Sequence, residues 1–423
     1  MKTYKKRIAD EILTFKLESK GAVLIEGAKW CGKTTTAKRQ AQSVLSMQNQ
    51  DDAENNIRMA KLKPSVLLAG KTPRLIDEWQ VAPVLWDAVR GEVDRRDQFG
   101  QFILTGSAVP ADMSKILHTG TGRITRMLMR PMSLFESEES TGDVSLKDLF
   151  NGRADIDGQS SIDLDQLCFL ICRGGWPKSL DCSERVALAQ APDYYDGVIN
   201  SDISRVDNVE RNKDRAARLL RAYARAIASQ TKLSSIILDM QANEATQISE
   251  GTVSSYITAL KRIFLIEDSP AWNPNLRSKA AIRTSDTRYF ADPSIAAAAL
   301  GLGTNDLKND LKTAGVLFEN LCVRDLRIYA EALNGDVYHY RDSNDLECDA
   351  VIHLRNGSYG LVEIKLGGQE LIDAGINTLN KLADTLDTTR MKPPAFKMVL
   401  IGVGKYAYKE NDVFVVPVGC LKN

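Results

Sequence analysis

Residues 27–34 read Gly27-Ala28-Lys29-Trp30-Cys31-Gly32-Lys33-Thr34. They follow the short apolar run Ala22-Val23-Leu24-Ile25 and precede a segment, Thr35 to Val44, whose composition allows a helix. The pattern is G-x-x-x-x-G-K-[ST], a complete phosphate-binding loop. Gly27 and Gly32 let the backbone curl so that its N–H groups point inward at phosphate oxygens. Ala28, Lys29, Trp30 and Cys31 complete the cradle, and Thr35 carries it into the helix, whose N-terminus favours an anion. Lys33 reaches the terminal phosphates as a point charge, and the Thr34 hydroxyl can ligate Mg²⁺. The expected ligand is therefore a nucleoside triphosphate with Mg²⁺. The alternative, a chance match in a turn rich in Gly and Lys, is disfavoured by the strand and helix on either side.

Downstream, Pro73-Arg74-Leu75-Ile76-Asp77-Glu78 reads as the end of a buried strand carrying two acids. Asp77 is expected to hold Mg²⁺, and Glu78 to orient and deprotonate the attacking water. An exposed acidic pair in a turn is the competing reading. A second buried strand, Phe102-Ile103-Leu104-Thr105-Gly106-Ser107, ends in hydroxyls. Ligands of an open parallel sheet gather at the carboxyl ends of its strands, so Thr105 or Ser107 is placed to sense the terminal phosphate. Capping of backbone groups explains those hydroxyls equally well. Arg123, with Arg126 and Arg130 beyond, is the candidate arginine finger, in cis or from a neighbouring subunit of a homo-oligomer. A surface arginine is the plain alternative.

The segments Leu75-Ile76-Asp77-Glu78-Trp79-Gln80, Phe102 to Ser107, and Gly122-Arg123 followed by Pro131-Met132-Ser133-Leu134-Phe135-Glu136 resemble a prokaryotic family of AAA-type ATPases. Gly174-Gly175-Trp176-Pro177, Tyr289-Phe290-Ala291-Asp292-Pro293 and Phe318-Glu319-Asn320 extend the resemblance along nearly the whole chain. It implies an ATP-binding core joined to a C-terminal domain of unknown function that is nuclease-like. One departure lies at Asn344-Asp345-Leu346-Glu347, where such proteins often place a glycine before the E-x-D acids.

The bulk properties narrow the partners. The 423 residues hold 55 Lys and Arg against 55 Asp and Glu, so no global charge draws the chain to nucleic acid or membrane. No apolar run reaches the length that crosses a bilayer. The basic start, Met1 to Arg7, leads into an amphipathic pattern rather than a signal-peptide core, so a cytoplasmic protein is expected. Seven scattered cysteines argue against a disulfide framework, and Cys168, Cys172 and Cys182 read as packing residues.

Ser137 to Asp163, polar and acidic, is expected to be a flexible connector. In a helix expected from Arg211 to Ile227, residues Arg211, Arg215, Arg218, Arg221 and Arg225 share one side. That stripe is either a solvated face or a surface for nucleic-acid phosphates. From Ile248 to Asp268 a helix with an apolar stripe (Val253, Tyr256, Ile257, Leu260, Ile263, Phe264) leads into an extended segment. This is how a winged helix looks, with Ser254, Ser255, Thr258 and Lys261 outward and Arg277 and Lys279 in the wing. DNA reading and a purely structural role both remain open.

Toward the C-terminus, Asp349 precedes a turn, Asn356-Gly357-Ser358, and then Glu363-Ile364-Lys365. Glu363 and Lys365 alternate on one strand face, and Asp349 lies on the strand before. Asp349 and Glu363 can share a divalent metal, with Lys365 positioning or activating water. The arrangement resembles the PD-(D/E)xK, restriction-endonuclease-like fold, with Glu319 a further member on the preceding helix.

The expected architecture is α/β: a P-loop ATPase domain with a parallel sheet over 1–135, a helical region over 136–240, a winged-helix-like region over 241–300, and a restriction-endonuclease-like domain over 301–423. The expected function is Mg²⁺-dependent ATP hydrolysis coupled to a DNA-interacting tail. The alternative is an ATP-gated, non-cleaving binding or scaffold protein in a larger assembly. A GTPase is a third possibility, although no guanine-specificity motif is recognisable.

Overall fold

The structure is a computed structural model that describes residues 4–109, 118–153, 155–207, 209–242, 248–273, 285–389 and 391–423. It divides into two compact units that are not contiguous in sequence. One comprises Met1–Pro131, Asn200–Arg211 and Tyr256–Leu265; the other comprises Met132–Ile199, Asn212–Ser255 and Ile266–Asn423. Boundaries at 240 and 300 therefore do not coincide with units, because two short stretches from mid-chain pack with the first unit. Arg277 and Lys279 lie outside the described residues.

The first unit is built on five parallel strands: β1 (Ala22–Glu26), β2 (Ser43–Ser46), β3 (Arg74–Asp77), β4 (Phe102–Gly106) and β5 (Ile124–Leu128). Their order is β2-β3-β4-β1-β5. Alternate residues of each strand face opposite sides. Val23, Ile25, Leu75, Ile103 and Met127 pack with Leu13 and Leu17 of the helix Ile8–Ser19 and Ala37 of the helix Lys33–Gln40. Ala22, Leu24, Ile76, Phe102 and Leu104 pack on the other side with Trp79 and with Trp86 and Val89 of the helix Leu85–Arg96. Both faces are covered, which is why these strands read as continuous apolar runs. Each Val, Leu, Ile, Phe or Met side chain among them, taken fully out of water, contributes about 1.5–3 kcal/mol. The helix after the loop ends at Gln40 rather than continuing to Val44, since Ser43–Ser46 pairs with β3.

The second unit carries a six-stranded sheet. β7 (Gly335–Arg341), β8 (Glu347–Leu354), β9 (Tyr359–Lys365), β10 (Phe396–Ile401), β11 (Tyr408–Glu410) and β12 (Val413–Pro417) take the order β11-β12-β10-β9-β8-β7; β9 and β10 run parallel, β10 and β12 run parallel, and the other pairs are antiparallel. The helix Leu311–Ala332 precedes β7, and the helix Gln369–Thr385 connects β9 to β10. The stretch expected to be a flexible connector is instead built in. It forms β6 (Val144–Ser145), which pairs with β13 (Leu421–Lys422), and the helix Leu146–Phe150. Ser140 Oγ donates to the Leu421 carbonyl at 2.8 Å.

Most of the resembled motifs in this unit converge on one buried ionic network. Arg324 Nη1 donates to Asp292 at 2.7 Å and its Nε to Asp325 at 2.8 Å. Asp292 also accepts from the Gly175 N–H, and Asp325 from the Leu134 N–H, both at 2.9 Å. A Cβ on Gly175 would lie 2.1 Å from the Met132 carbonyl oxygen, so only glycine fits there. Asn320 closes a parallel link, accepting from the Phe290 N–H and donating to its carbonyl.

Arg211 is buried, precedes the helix Lys213–Arg225, and pairs with Asp207 at 2.6 Å. It therefore drops out of the arginine stripe. Arg218, Arg221 and Arg225 are exposed. In the helix Glu250–Arg262, Val253, Tyr256, Ile257 and Leu260 are buried while Ser254, Ser255, Thr258 and Lys261 are exposed. Antiparallel bridges Ile266↔Phe290 and Ser269↔Thr287 follow it. No helix among the described residues is long and apolar enough to cross a membrane.

Candidate functional sites

The loop Gly27–Gly32 joins the carboxyl end of β1 to the helix Lys33–Gln40. Gly27 and Gly32 have φ of +146° and +108°, conformations that L side chains rarely adopt. A Cβ on Gly27 would lie 2.1 Å from the Met129 carbonyl oxygen, so the loop is pressed against the end of β5. Lys33 is buried, and its Nζ donates to the carbonyls of Gly27 at 2.9 Å and Ala28 at 2.7 Å. The ammonium is thus held inside the curl of the loop. Trp30 and Lys29 face outward, Lys29 pairing with Asp202 at 2.6 Å; Cys31 is buried, its Sγ donating to the Met129 carbonyl. Thr35 is exposed.

Strand order brings the acids to this loop. β3 and β4 lie side by side, and β4 adjoins β1. Thr34 Oγ1 donates to Asp77 Oδ1 at 2.7 Å, and Thr105 Oγ1 donates to the same oxygen at 2.6 Å. Glu78 follows in the left-handed region at φ +58°. Its carboxylate accepts from Ser107 Oγ at 3.0 Å and from Gln80 Nε2 at 2.5 Å. Thr34, Asp77, Glu78, Thr105 and Ser107 therefore form one connected hydrogen-bonded set at the carboxyl edge of the sheet.

Arg123 does not join it. Its carbonyl accepts from the Ala22 N–H, at the amino end of β1, and its side chain pairs with Asp94 at 2.7 Å. β1 runs about 13 Å from Ala22 to Glu26, so Arg123 lies at the opposite edge from the loop. The expectation of a finger in cis is corrected on that geometry. Arg130 is the arginine at the loop's edge, just past Met129, whose N–H donates to the Glu26 carbonyl.

Arg7 carries no motif that marks it in advance. This buried side chain donates to the Cys31 carbonyl at 2.8 Å and to the Arg130 carbonyl at 2.9 Å, bolting loop to strand end. Tyr4 adds a second tie through Asp10 and Thr36, at 2.8 and 3.0 Å.

In the second unit, Asp349 on β8 meets Glu363 and Lys365 on β9. Lys365 Nζ lies 2.6 Å from Glu363 and 3.1 Å from Asp349, and the Ile364 N–H donates to Asp349 at 2.7 Å. Glu363 is buried; that burial, with Asp349 beside it, pushes its carboxyl up to about 8. Burial alone would lower the Lys365 ammonium, but Asp349 and Glu363 outweigh it and hold it above its usual range. Glu319 accepts from the Tyr289 hydroxyl at 2.5 Å, and burial and Asp349 keep its carboxyl well above normal. Asp345, within the stretch that departs from the resembled pattern, takes φ +60°, which Asp tolerates better than most residues.

Among the described residues no three His, Cys, Asp or Glu side chains stand ready as a metal cluster. The Lys365 ammonium bridges the two acids instead. The donor set nonetheless fits a hard divalent cation, since both groups are carboxylates and Glu363 Oε1 is buried with no hydrogen-bond partner among the described residues.

Comparison with known proteins finds matches along three stretches of the chain. Residues 19–138 match an AAA domain, residues 164–306 a domain of unknown function (DUF8612), and residues 314–421 a second one (DUF4143). The chain therefore carries an AAA-type ATPase domain. No curated protein matches it. Among 26 matching chains of solved structures is the Walker-type ATPase PABY2304 of Pyrococcus abyssi, 15% identical over 69% of this chain and 94% of that one, with a TM-score of 0.41.

Proposed function

We propose that the chain binds and hydrolyses ATP with Mg²⁺, and that this turnover governs the C-terminal unit. One observation carries the reading: the Thr34–Asp77 hydrogen bond of 2.7 Å, which joins loop and acidic strand end at the point where Mg²⁺ is needed. Thr34 and Asp77 hold the cation, which screens the phosphate charge when bound. Lys33 gives up its two carbonyl partners and takes phosphate oxygens. Glu78 orients the water and accepts its proton. Turnover compared between wild type and Glu78→Gln tests this; unchanged turnover in the variant removes Glu78 from the role.

For the second unit the reading is a restriction-endonuclease-like domain that meets DNA. The run helix, β7, β8, β9, helix, β10 and the meeting of Asp349, Glu363 and Lys365 support it. The helix Glu250–Arg262 with its following antiparallel bridges supports a winged helix earlier in the chain. Asp349 and Glu363 hold the divalent cation, and Lys365 positions water. Plasmid cleavage with Mg²⁺ or Mn²⁺ by wild type and not by Lys365→Ala distinguishes this from a non-cleaving scaffold, whose ATP turnover would persist without any cleavage.

A further inference from the structure

Strand order gives a bound nucleotide a direction. Asp77, Glu78 and Ser107, assigned to the metal, the water and the terminal phosphate, stand at the ends of β3 and β4, on one side of β1. β5 lies on the other side of β1, and there Arg7 ties the Cys31 and Arg130 carbonyls together. With the terminal phosphate turned to the acids, the nucleoside leaves the loop toward the segment Tyr4 to Arg7.

That segment borders an open polar cleft of about 630 Å³ between the helices Ile8–Ser19 and Lys33–Gln40. Small-molecule sites run to about 300–1,000 Å³, so a nucleoside has room there. Most of its polar lining is already engaged. Asp10 accepts from the Tyr4 hydroxyl and the Arg7 N–H, Thr14 and Gln40 donate to the Asp10 carbonyl, and Lys6 pairs with Glu11. Arg39 and Gln42 are exposed, and neither side chain has a hydrogen bond or ion pair among the described residues. Arg39 Cζ lies 4.3 Å from the centroid of the Tyr4 ring. The ring backs one face of the guanidinium and leaves the other open. Arg39 also lies one helical turn, about 6 Å, beyond Thr35 on the same side of the helix.

We propose that this cleft seats the purine base of the nucleotide, stacked on the open face of the Arg39 guanidinium. Flat guanidinium planes take nucleobases in this way, and a point charge does not. The Tyr4 hydroxyl bonds Asp10 at 2.8 Å and Thr36 at 3.0 Å, which fixes the platform to the helix that follows the loop. Phosphates and base then share one preorganised frame. Stacking reads ring area rather than the groups on the ring's edge, so purines are favoured over pyrimidines. The inference rests on the phosphate-loop reading above and adds Arg39 to it as the residue that touches the base.

The test is calorimetric titration of the full-length protein, with Mg²⁺, against ATP, CTP and tripolyphosphate, which has the phosphates and no base. Wild type should bind ATP about 10-fold or more tightly than tripolyphosphate, with CTP between them. Arg39→Ala should lose about 10-fold for ATP and leave tripolyphosphate unchanged, which also shows that the variant is folded. Arg39→Lys keeps the charge without the plane and should behave like Arg39→Ala. Arg39→Trp restores a flat face and should recover most of the loss. If Arg39→Ala binds ATP like wild type, or loses tripolyphosphate equally, the inference fails while the phosphate loop stands. Rescue by Arg39→Lys and not by Arg39→Trp also overturns it, because charge alone would then account for Arg39. If wild type binds neither ATP nor tripolyphosphate, both readings fall.

Discussion

Ser107 donates its hydroxyl proton to the Glu78 carboxylate at 3.0 Å, across the carboxyl ends of two adjacent strands. The bond ties the residue assigned to water activation to the strand end assigned to phosphate sensing. Removing the hydroxyl leaves Glu78 held by Gln80 alone among its described partners. Ser107→Ala should lower kcat for ATP about 10-fold or more, the scale on which acid–base groups act, and leave KM nearly unchanged. Steady-state kinetics check this; an unaltered kcat would mean that Ser107 only caps its strand.

Arg7 acts on the loop from outside it. Its guanidinium bridges the Cys31 and Arg130 carbonyls, a fork that a lysine cannot reproduce. Arg7→Lys should therefore behave much like Arg7→Ala. Both should raise KM for ATP several-fold and lower kcat less. Loop-to-strand slack, measured as faster amide exchange at Cys31 and Gly32, should accompany the change. A Lys variant that matches wild type in both would remove Arg7 from the brace.

The buried network of the second unit has a pH signature. Burial outweighs Arg324 and lifts the Asp325 carboxyl to about 6, above its ordinary 3.8. A carboxyl that binds its proton more tightly when folded contributes stability below the unfolded pKa and loses it as pH rises through the folded one. The advantage of wild type over Asp325→Asn in chemical denaturation should therefore narrow between pH 4 and pH 7, by about 2–3 kcal/mol. A gap that widens with pH would contradict the assignment.

What the chain announced in advance was local. The phosphate loop is written in eight consecutive residues, and the acids at 77 and 78 follow a visible apolar strand. Asp349, Glu363 and Lys365 were legible because a short turn brings adjacent strands together. Long-range geometry was not. Arg7 reaches partners 24 and 123 residues away, and Lys29 finds Asp202 173 residues on. No periodicity encodes such pairs. Arg123 misled for the complementary reason: spacing shows that an arginine flanks a strand, but only strand order and direction tell which edge of the sheet it occupies.

The most direct measurement is calorimetric titration of ATP into the purified protein with Mg²⁺, repeated with Lys33→Ala. Saturable binding by wild type, weakened at least 10-fold in the variant, is the predicted result. Wild-type protein that takes up no ATP, or a variant that binds it equally well, would contradict the claim that this loop and this ammonium hold a triphosphate.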